Sequence, residues 1–334
     1  MSAAAQLDLL DLRHYSGRQL RSLLEEEARQ WRDLLEWDYS TSIELLLQYL
    51  DARILPGYVA LDNGNVCGYT FSVYEGDKAV VGDTFAHATQ SESAKEIEHR
   101  LLTHLIETLQ HSPQVQRVES QLLLHPAGSL AAPFLATGFR VHPRLFLHCD
   151  LKQNAALPAS HPERKLPEPL ILRQWVNAHF QPAGELIHRT YRGHLDATIN
   201  DQYRSLHGSL RFLHNIVRFP GCGVFDAESS WVMIDPDGGT LEGMILCSRV
   251  CDHVAHITQL CIAPRLRGQG YGRMLIQKAA AGLRQRGYEA ITLTVTEENT
   301  SAVRLYEDLG FHARHRFDAM VWDKRELPTA STTG

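Results

Sequence analysis

The sequence lacks the features that mark membrane proteins and disulfide-rich proteins. No apolar run among its 334 residues approaches the length needed to cross a bilayer. The first fifteen residues carry Asp8 and Asp11 and show no basic start followed by an apolar run, so we expect no secretory signal. The six cysteines show no C-x-x-C spacing and are too sparse for a disulfide scaffold. These absences predict a cytoplasmic protein with reduced thiols and no membrane partner.

The sequence also lacks a positive charge excess and the spacings typical of metal ligands. Its formal net charge is −6, which gives no general reason to expect a nucleic acid partner. None of the eighteen histidines forms an H-x-H or H-E-x-x-H pattern. His253 and His256 lie three residues apart on one predicted strand and would face opposite sides of it. We therefore expect no metal.

The length suits two domains of ordinary size, and one proline-rich stretch separates them. Four prolines lie in a polar setting between Lys152 and Pro169. We predict a first domain at 1–151, a linker at 152–169, a second domain at 170–326 and a disordered tail at 327–334.

The two halves show the same order of predicted elements. Helical segments come first (16–50, then 182–195 and 201–213), and a hairpin follows, turning at Asn63-Gly64 or at 235–239. A strand, a long helix, another strand (115–124 in the first half) and a short helix then close each half. A turn glycine and a closing glycine recur at nearly one offset, since Gly310 minus Gly138 is 172 and Gly238 minus Gly64 is 174. A duplicated domain explains this repetition better than chance.

The stretch from His256 to Gly272 has the form of a phosphate-binding turn. An apolar strand ends at Pro264, and three alternating glycines lead into a helix. Glycines let the backbone approach a ligand, and the first N–H groups of a helix point at an anion. Six basic residues and no acid lie between Pro264 and Tyr288. This basic segment favours a polyanionic small ligand, although its later residues could instead form a solvated helix face.

These residues resemble the GNAT superfamily of acyl-CoA N-acyltransferases. The family's pyrophosphate motif is matched from Arg267 to Gly272, and a later motif is matched from Asn299 to Phe311. The resemblance covers about 170–323 well, and it covers 10–150 only through element order and the Gly138-Phe139 ending. It implies an α+β fold of two tandem GNAT-like domains, each a mostly antiparallel twisted sheet flanked by helices.

The resemblance also implies a cofactor site. Backbone groups of Leu260, Cys261 and Ile262 would pair with the pantetheine arm of acetyl-CoA, and Asn299 would lie near that arm. The pyrophosphate would be held by the amides of six consecutive residues, namely Arg267, Gly268, Gln269, Gly270, Tyr271 and Gly272. The implied activity is transfer of an acetyl group from acetyl-CoA to a primary amine of a small molecule or peptide, by direct attack in a ternary complex.

The resemblance places Tyr306 near the thioester sulfur, where a phenol can protonate the departing thiolate. Many family members carry glutamate on the central strand where this chain has Gln259, whose amide accepts no proton at neutral pH. We take Glu242 on the hairpin strand as the base. The alternatives are Glu297, Glu298, His253 and His256. Polar residues in the early helices could build the acceptor site or form an exposed face: His188, Arg189, Arg192, His194 and Asp196.

The first half departs from the cofactor motif. The offset of 172 places its phosphate loop at about Lys95–Arg100, which has no glycine, and puts Phe134 in the position of Tyr306. We therefore expect this half to be a scaffold or one wall of the acceptor site.

Three other readings compete with catalysis by the second half. The glycines alternate after a hairpin, so a nicotinamide-binding motif fits poorly. Cys261 could be a nucleophile, but a cysteine within an apolar strand is more often an inert packing residue. The main alternative is a non-catalytic acyl-CoA-binding sensor or interaction module. A monomer or a homodimer is expected.

Overall fold

The computed structural model describes residues 7–154, 157, 165–218 and 223–326. The predicted tail and half of the proline-rich stretch lie outside these residues. Chain packing divides the described residues into two compact units. Unit 1 holds residues up to 143, except 32–38, together with 316–326; unit 2 holds 32–38 and 144–315. No helix in this part of the chain is long and apolar enough to span a bilayer.

Helices and strands follow one another in a similar order in the two halves of the chain. The strands of the described residues are β1 (Leu7–Asp11), β2 (Gly57–Asp62), β3 (Asn65–Glu75), β4 (Lys78–Ala86), β5 (Arg117–Gln121), β6 (Arg140–Asp150), β7 (Ile171–Gln174), β8 (Val224–Ile234), β9 (Leu241–Cys251), β10 (Val254–Ile262), β11 (Ala290–Thr296) and β12 (His312–Asp323). The helices are α1 (Gly17–Leu35), α2 (Ser40–Asp51), α3 (Ala94–His111), α4 (Ala131–Ala136), α5 (Phe180–Tyr191), α6 (Asp196–Ile199), α7 (Leu206–Arg218), α8 (Tyr271–Gln285) and α9 (Thr300–Glu307).

The sheet of unit 1 runs in the order β1, β2, β3, β4, β5 and then the C-terminal part of β12. Its neighbouring strands pair antiparallel, except for the parallel pair of β4 and β5. Helix α3 packs an apolar stripe against this sheet, and Ile97, Leu101 and Leu109 on that stripe have no exposed surface.

The sheet of unit 2 runs in the order β6, β11, β10, β9, β8 and β7. Only β10 and β11 are parallel among its strand pairs in the described residues. Helix α8 covers one face and buries Leu275, Ile276 and Leu283 completely. Helices α5 and α7 pack on the other face, where they enclose Met244 and Cys261. Both units are thus mixed α/β, with mostly antiparallel sheets flanked by helices, as predicted.

The last strand of each half belongs to the other half's unit. Residues 144–150 of β6 pair with β11 in unit 2, and Ala319–Asp323 of β12 pair with β5 in unit 1. Each compact unit therefore contains a strand from the opposite half of the sequence. The domain limits drawn along the chain stay a prediction, because the units are defined by packing and not by chain order.

Several element limits differ from the sequence predictions. The predicted helix over 16–50 is two helices, because the chain turns at Glu36, whose φ is +53°. The predicted strand over 115–124 is confined to Arg117–Gln121, and helix α7 ends at Arg218 rather than near 213. The edge strands β1 and β7 were not predicted. Both are five residues or shorter and carry polar residues that obscure an alternating pattern.

Candidate active site

A gap opens between the two parallel strands of unit 2. Strands β10 and β11 pair only from Val254–Ile257 to Ala290–Leu293, although both strands continue beyond that ladder. A register shift in the pairing of β10 with β9 falls at the same point, between Ile257 and Gln259. We call the space between residues 258–262 of β10 and residues 294–296 of β11 the unit 2 gap. These residues pair with β9 and β6 on their outer sides, whereas their gap-facing sides have no strand partner among the described residues.

Backbone alternation determines which residues of β10 face the unit 2 gap. The amide of Ala263 donates to the carbonyl of Glu242 on the β9 side, at 2.9 Å. Because successive strand residues point their N–H and C=O groups to opposite sides, Cys261 also faces β9, whereas Leu260 and Ile262 face the gap. The structure thus brings two of the three predicted pantetheine-pairing residues to the gap through their backbone. Cys261 contributes a buried side chain instead.

The predicted phosphate loop leads from β10 into α8. Gly268 and Gly270 have φ values of +71° and +82°, a backbone region that L-residues rarely adopt. Nothing lies within 4 Å of a Cβ placed on Gly268, so the loop surface is open there. Gly270 immediately precedes α8, and no side chain caps that helix N-terminus. The first N–H groups of α8 are therefore available to an anion.

Several basic residues after the loop already have partners in the structure. Arg273 pairs with Asp308 at 2.9 Å, and Arg286 pairs with Asp226 at 2.7 Å. Lys278 lies 4.7 Å from the centre of the Trp231 ring. The later part of the basic segment thus makes contacts within unit 2, and both readings of the segment stay predictions.

Glu242 lies between two arginines. It is 7 % exposed, and Arg189 and Arg265 approach its two carboxylate oxygens at 3.4 and 3.2 Å. The same Arg189 also donates to the carbonyl of Leu241 at 2.7 Å. A base must offer a free lone pair to the amine, so Glu242 would have to release one arginine first. Its role as the base stays a prediction, and this geometry does not favour it.

Tyr306 lies on α9 with its ring buried and its hydroxyl unpaired. The residue is 8 % exposed, and its ring packs edge-on against Phe311 with ring centres 5.8 Å apart. Burial first, and then electrostatic interactions with Asp196 and Cys261, raise the pKa of Tyr306 well above its usual value, so the phenol keeps its proton at neutral pH. Its hydroxyl has no hydrogen-bond partner among residues 7–154, 157, 165–218 and 223–326. Tyr306 can therefore donate its proton to a group that enters from outside.

Asn299 caps the helix that carries Tyr306. Its side chain accepts from the amide of Ala302 at 3.3 Å and from the hydroxyl of Ser301 at 3.2 Å. Asn299 is therefore the N-cap of α9. The cap fixes the start of α9 directly after β11, which places the helix beside the unit 2 gap.

Gln259 is the centre of a buried polar network. Its amide nitrogen donates to the Tyr191 hydroxyl at 2.9 Å and to the Cys261 sulfur at 3.0 Å, and its oxygen accepts from Tyr203 at 3.3 Å. The rings of Tyr191 and Tyr203 stack with centres 4.0 Å apart. No local pattern marks these two tyrosines in the sequence, because they reach Gln259 only through the packing of the early helices against β10.

The thiol and imidazole candidates on β10 are poorly suited to catalysis. Burial raises the pKa of the Cys261 thiol to about 12, so no thiolate forms at neutral pH. Burial lowers the pKa of His256 to about 3, and its Nδ1 contacts the Thr292 hydroxyl at 2.8 Å. His253 is exposed in the turn between β9 and β10, at the end of β10 opposite the gap. Neither histidine is placed to take a proton from a substrate in the gap.

Asp196 and His194 lie at the open end of the unit 2 gap. The hydroxyl of Thr296, the last residue of β11, donates to Asp196 Oδ1 at 2.6 Å. His194 Nδ1 is 3.4 Å from Asp196 Oδ2, and it accepts the backbone N–H of Asp196 at 3.2 Å. The His194 ring also packs edge-on against Tyr191. Two of the residues that the sequence assigned to an acceptor site therefore adjoin both the gap and the Gln259 network.

Unit 1 contains the corresponding gap, and its own side chains fill it. Strands β4 and β5 pair only from Lys78–Val81 to Arg117–Ser120, after which the ladder ends. His125 Nε2 lies 2.8 Å from the carbonyl oxygen of Thr84, and Glu98 accepts the amide of Ala86 at 3.2 Å. His125 Nδ1 is 3.7 Å from the other Glu98 oxygen. We call Glu98 and His125 the unit 1 plug, because they occupy the β4 backbone groups that correspond to those left open on β10.

Two further features of unit 1 differ from the cofactor motif. The start of α3 is closed by a capping box in which Ser93 and Glu96 bond each other's backbone and side chain. This cap satisfies N–H groups and adds a carboxylate, so it disfavours phosphate. Phe134 packs against Phe139 as Tyr306 packs against Phe311, at the same offset of 172 residues. The equivalence predicted from the closing glycines is confirmed by these matching contacts.

Comparisons with known proteins agree with this geometry. Residues 196–311 match the family model described as "Acetyltransferase (GNAT) family". A mycothiol acetyltransferase from Thermobispora bispora is 52 % identical over 50 residues, which is 15 % of this chain and 17 % of that protein. The matched segment thus covers well under two thirds of that curated relative.

Solved structures resemble the chain over nearly its whole length. A GCN5-related N-acetyltransferase from Sphaerobacter thermophilus has a TM-score of 0.65 at 17 % identity, covering 98 % of each chain. A tandem GNAT protein from the clavulanic acid biosynthesis pathway has a TM-score of 0.56 at 16 % identity, covering 97 % of this chain and 100 % of that one. At these identities the likeness concerns the fold, and it confirms the predicted plan of two tandem GNAT-like domains.

Proposed function

We propose, from the premise that the C-terminal region of this chain belongs to the GNAT acetyltransferase family, that unit 2 transfers an acetyl group from acetyl-CoA to a primary amine. The observation that carries the proposal is the open gap between β10 and β11, which leads to an uncapped, glycine-lined helix N-terminus. A long, flexible thiol arm fits the first feature and a pyrophosphate fits the second. GNAT acetyltransferases use acetyl-CoA, which carries both groups.

The proposed cofactor contacts follow from the backbone. Leu260 and Ile262 pair with the pantetheine arm as a strand would, while the amides from Arg267 to Gly272 bind the pyrophosphate. Arg267 stiffens the loop, since its guanidinium donates to the carbonyls of Thr190 and Ile262 at 2.7 and 3.3 Å. The amide of Arg267 itself donates to the carbonyl of Pro264 at 3.3 Å, so the pyrophosphate would have to displace that contact to bind this amide.

The proposed chemistry is direct attack in a ternary complex. The amine nitrogen attacks the thioester carbonyl carbon, and a backbone N–H facing the gap, such as that of Ile262, stabilises the negative charge that develops on oxygen. The carbon–sulfur bond then breaks, and Tyr306 protonates the leaving thiolate. The sequence predicts Glu242 as the base for the amine, and this assignment is tested separately below.

The first experiment measures binding and turnover on one protein sample. Calorimetry with coenzyme A reports binding, and release of free thiol from acetyl-CoA over a panel of primary amines reports transfer. We expect coenzyme A to bind and at least one amine to accelerate thiol release. Failure to bind coenzyme A would overturn the assignment of the gap and the loop.

A second candidate function is a non-catalytic acyl-CoA-binding module. Two observations favour it: Gln259 stands where many family members carry an acid, and Glu242 is held by two arginines. The same experiment separates the two functions, since tight coenzyme binding without amine-dependent thiol release supports the module. The acceptor, the oligomeric state as monomer or homodimer, and the cytoplasmic location stay predictions.

A further inference from the structure

The Asp196 carboxylate adjoins the unit 2 gap and is more accessible than that of Glu242. Its side chain is 19 % exposed, whereas that of Glu242 is 9 % exposed. No lysine or arginine pairs with Asp196 anywhere in the described part of the chain. The Asp196 carboxylate therefore has no arginine or lysine beside it in the described residues, unlike Glu242 with its two arginines.

Two contacts hold the Asp196 carboxylate in place without neutralising it. The Thr296 hydroxyl donates to Oδ1 at 2.6 Å, and Thr296 is itself buried at the end of β11. The His194 ring lies beside Oδ2, with its Nδ1 at 3.4 Å, and the same Nδ1 accepts the Asp196 amide at 3.2 Å. The carboxylate is thus oriented by a neutral donor and keeps lone pairs for a cation.

The neighbours of Asp196 are the residues proposed for the chemistry. Thr296 links Asp196 to the strand that leads into the Asn299 cap and the helix of Tyr306. On the other side, His194 contacts Tyr191, and Tyr191 bonds Gln259 on β10. Asp196 also acts electrostatically on Tyr306 and Tyr191. The carboxylate therefore lies between the proposed acid and the buried Gln259 network.

We propose that the Asp196 carboxylate binds the ammonium group of the acceptor and receives its proton, so that the acceptor is a primary alkylamine that is protonated at neutral pH. This inference rests on the proposed acetyl transfer. The nitrogen loses one proton to Asp196 before attack and a second after the carbon–nitrogen bond forms. The carbon–sulfur bond breaks, and the thiolate takes the Tyr306 proton. The second nitrogen proton restores Tyr306 through water, and Asp196 releases the first to solvent.

The test compares two amines that differ in charge and little in size. At neutral pH ethylamine is an ammonium ion, whereas 2,2,2-trifluoroethylamine is mostly the free base and needs no base before attack. We expect Asp196→Asn to lower kcat/KM for ethylamine by about 100-fold or more. We expect it to lower kcat/KM for trifluoroethylamine by less than about 10-fold, because its only loss is a binding contact.

The matched control is Glu185→Gln. Glu185 is an exposed carboxylate on α5 whose described partner is Gln181 at 3.1 Å, and its loss should leave both amines within about 2-fold of the native protein. A second variant, Thr296→Val, removes the hydroxyl that orients Asp196. We expect it to affect ethylamine more than trifluoroethylamine, and we expect Thr296→Ser to restore the native ratio.

The outcomes separate this inference from the proposed function. Equal losses with the two amines in Asp196→Asn would overturn the role of Asp196 while leaving acetyl transfer intact. Turnover of trifluoroethylamine but not ethylamine by the native protein would overturn the alkylammonium acceptor. Absence of coenzyme A binding to the native protein by calorimetry would instead overturn the proposed function itself.

Discussion

Unit 1 and unit 2 each contain a gap between two parallel strands. Side chains of unit 1 fill its gap, whereas the gap of unit 2 is open. In unit 1 the plug residues Glu98 and His125 bond the backbone of β4, and Ser93 with Glu96 caps α3. In unit 2 the gap-facing side of the corresponding β10 residues has no strand partner in the described residues, and α8 begins at a glycine without a side-chain cap. An unpaired buried backbone group costs about 1–3 kcal/mol. A fold that fills these positions from within is suited to be a scaffold, whereas one that leaves them open is suited to bind a ligand.

The largest effect is expected from closing the open loop of unit 2. Gly270→Glu forces a side chain into a backbone conformation with φ +82° and places a negative charge at the proposed pyrophosphate site. We expect coenzyme A affinity to fall by about 1,000-fold or more, measured by calorimetry. Gly76→Glu is the control. Gly76 has φ +70° in an open turn of unit 1, so this change introduces the same backbone strain without a charge at the proposed pyrophosphate site. Unchanged affinity in Gly270→Glu would remove the distinction between the two units.

The next largest effect is expected at Tyr306 on α9, whose counterpart on α4 is Phe134. Tyr306→Phe removes the proposed acid but keeps the edge-on contact with Phe311, so coenzyme binding should persist. We expect kcat to fall by about 10- to 1,000-fold in the thiol-release assay. The reverse change, Phe134→Tyr in unit 1, should confer no activity, because the plug fills that gap. Native kcat in Tyr306→Phe would assign the acid to another group.

The local features of the candidate site could be predicted from the sequence. Glycine permits positive φ, and Gly268 and Gly270 adopt it, whereas Gly272 lies within α8. Asparagine favours a helix N-cap, and Asn299 forms one with Ala302. Tyr306 lies at helical spacing from apolar residues of the same segment, and its ring is buried. Each of these outcomes depends on a few adjacent residues, which is why periodicity and residue type suffice.

The contacts that decide function could not be predicted in the same way. The pairing of β6 with β11 and of β12 with β5 depends on strand register between residues more than a hundred positions apart. The plug depends on Glu98 and His125 meeting the backbone of β4 from two different segments. The two arginines on Glu242 likewise come from α5 and from the turn after β10. Such meetings follow from tertiary packing, and no single stretch of sequence encodes them.

A smaller effect tests whether the plug carries the pH dependence of unit 1. Burial raises the pKa of Glu98 to about 8, above its unfolded value of about 4.3. The folded state therefore binds the proton more tightly, and the Glu98 contribution to stability is lost as pH rises from about 4.3 through 8. Burial lowers the pKa of His125, which acts in the opposite direction below about pH 6.5, and burial raises the pKa of the neighbouring Asp83.

The measurement is the free energy of unfolding by urea between pH 5 and 9. Glu98→Gln cannot ionise and keeps an acceptor for the amide of Ala86, so its stability should fall less steeply with pH than that of the native protein. The difference in slope should reach at most about 1.4 kcal/mol per pH unit. Glu107→Gln, an exposed change on the same helix, should leave the slope unchanged. Identical slopes for Glu98→Gln and the native protein would show that the plug is not a titrating element.

The smallest effect on turnover is expected at Glu242, a further position at which the two units carry different residues. In unit 1 Cys67 stands where unit 2 has Glu242, since the amide of His87 donates to the Cys67 carbonyl at 2.7 Å as that of Ala263 donates to Glu242. If Glu242 mainly holds Arg189 and Arg265, Glu242→Gln keeps an acceptor and should lower kcat by less than about 10-fold. A loss of about 100-fold with ethylamine that is absent with trifluoroethylamine would instead identify Glu242 as the base. Glu242 would then have the role of base that the contacts in unit 2 favour for Asp196.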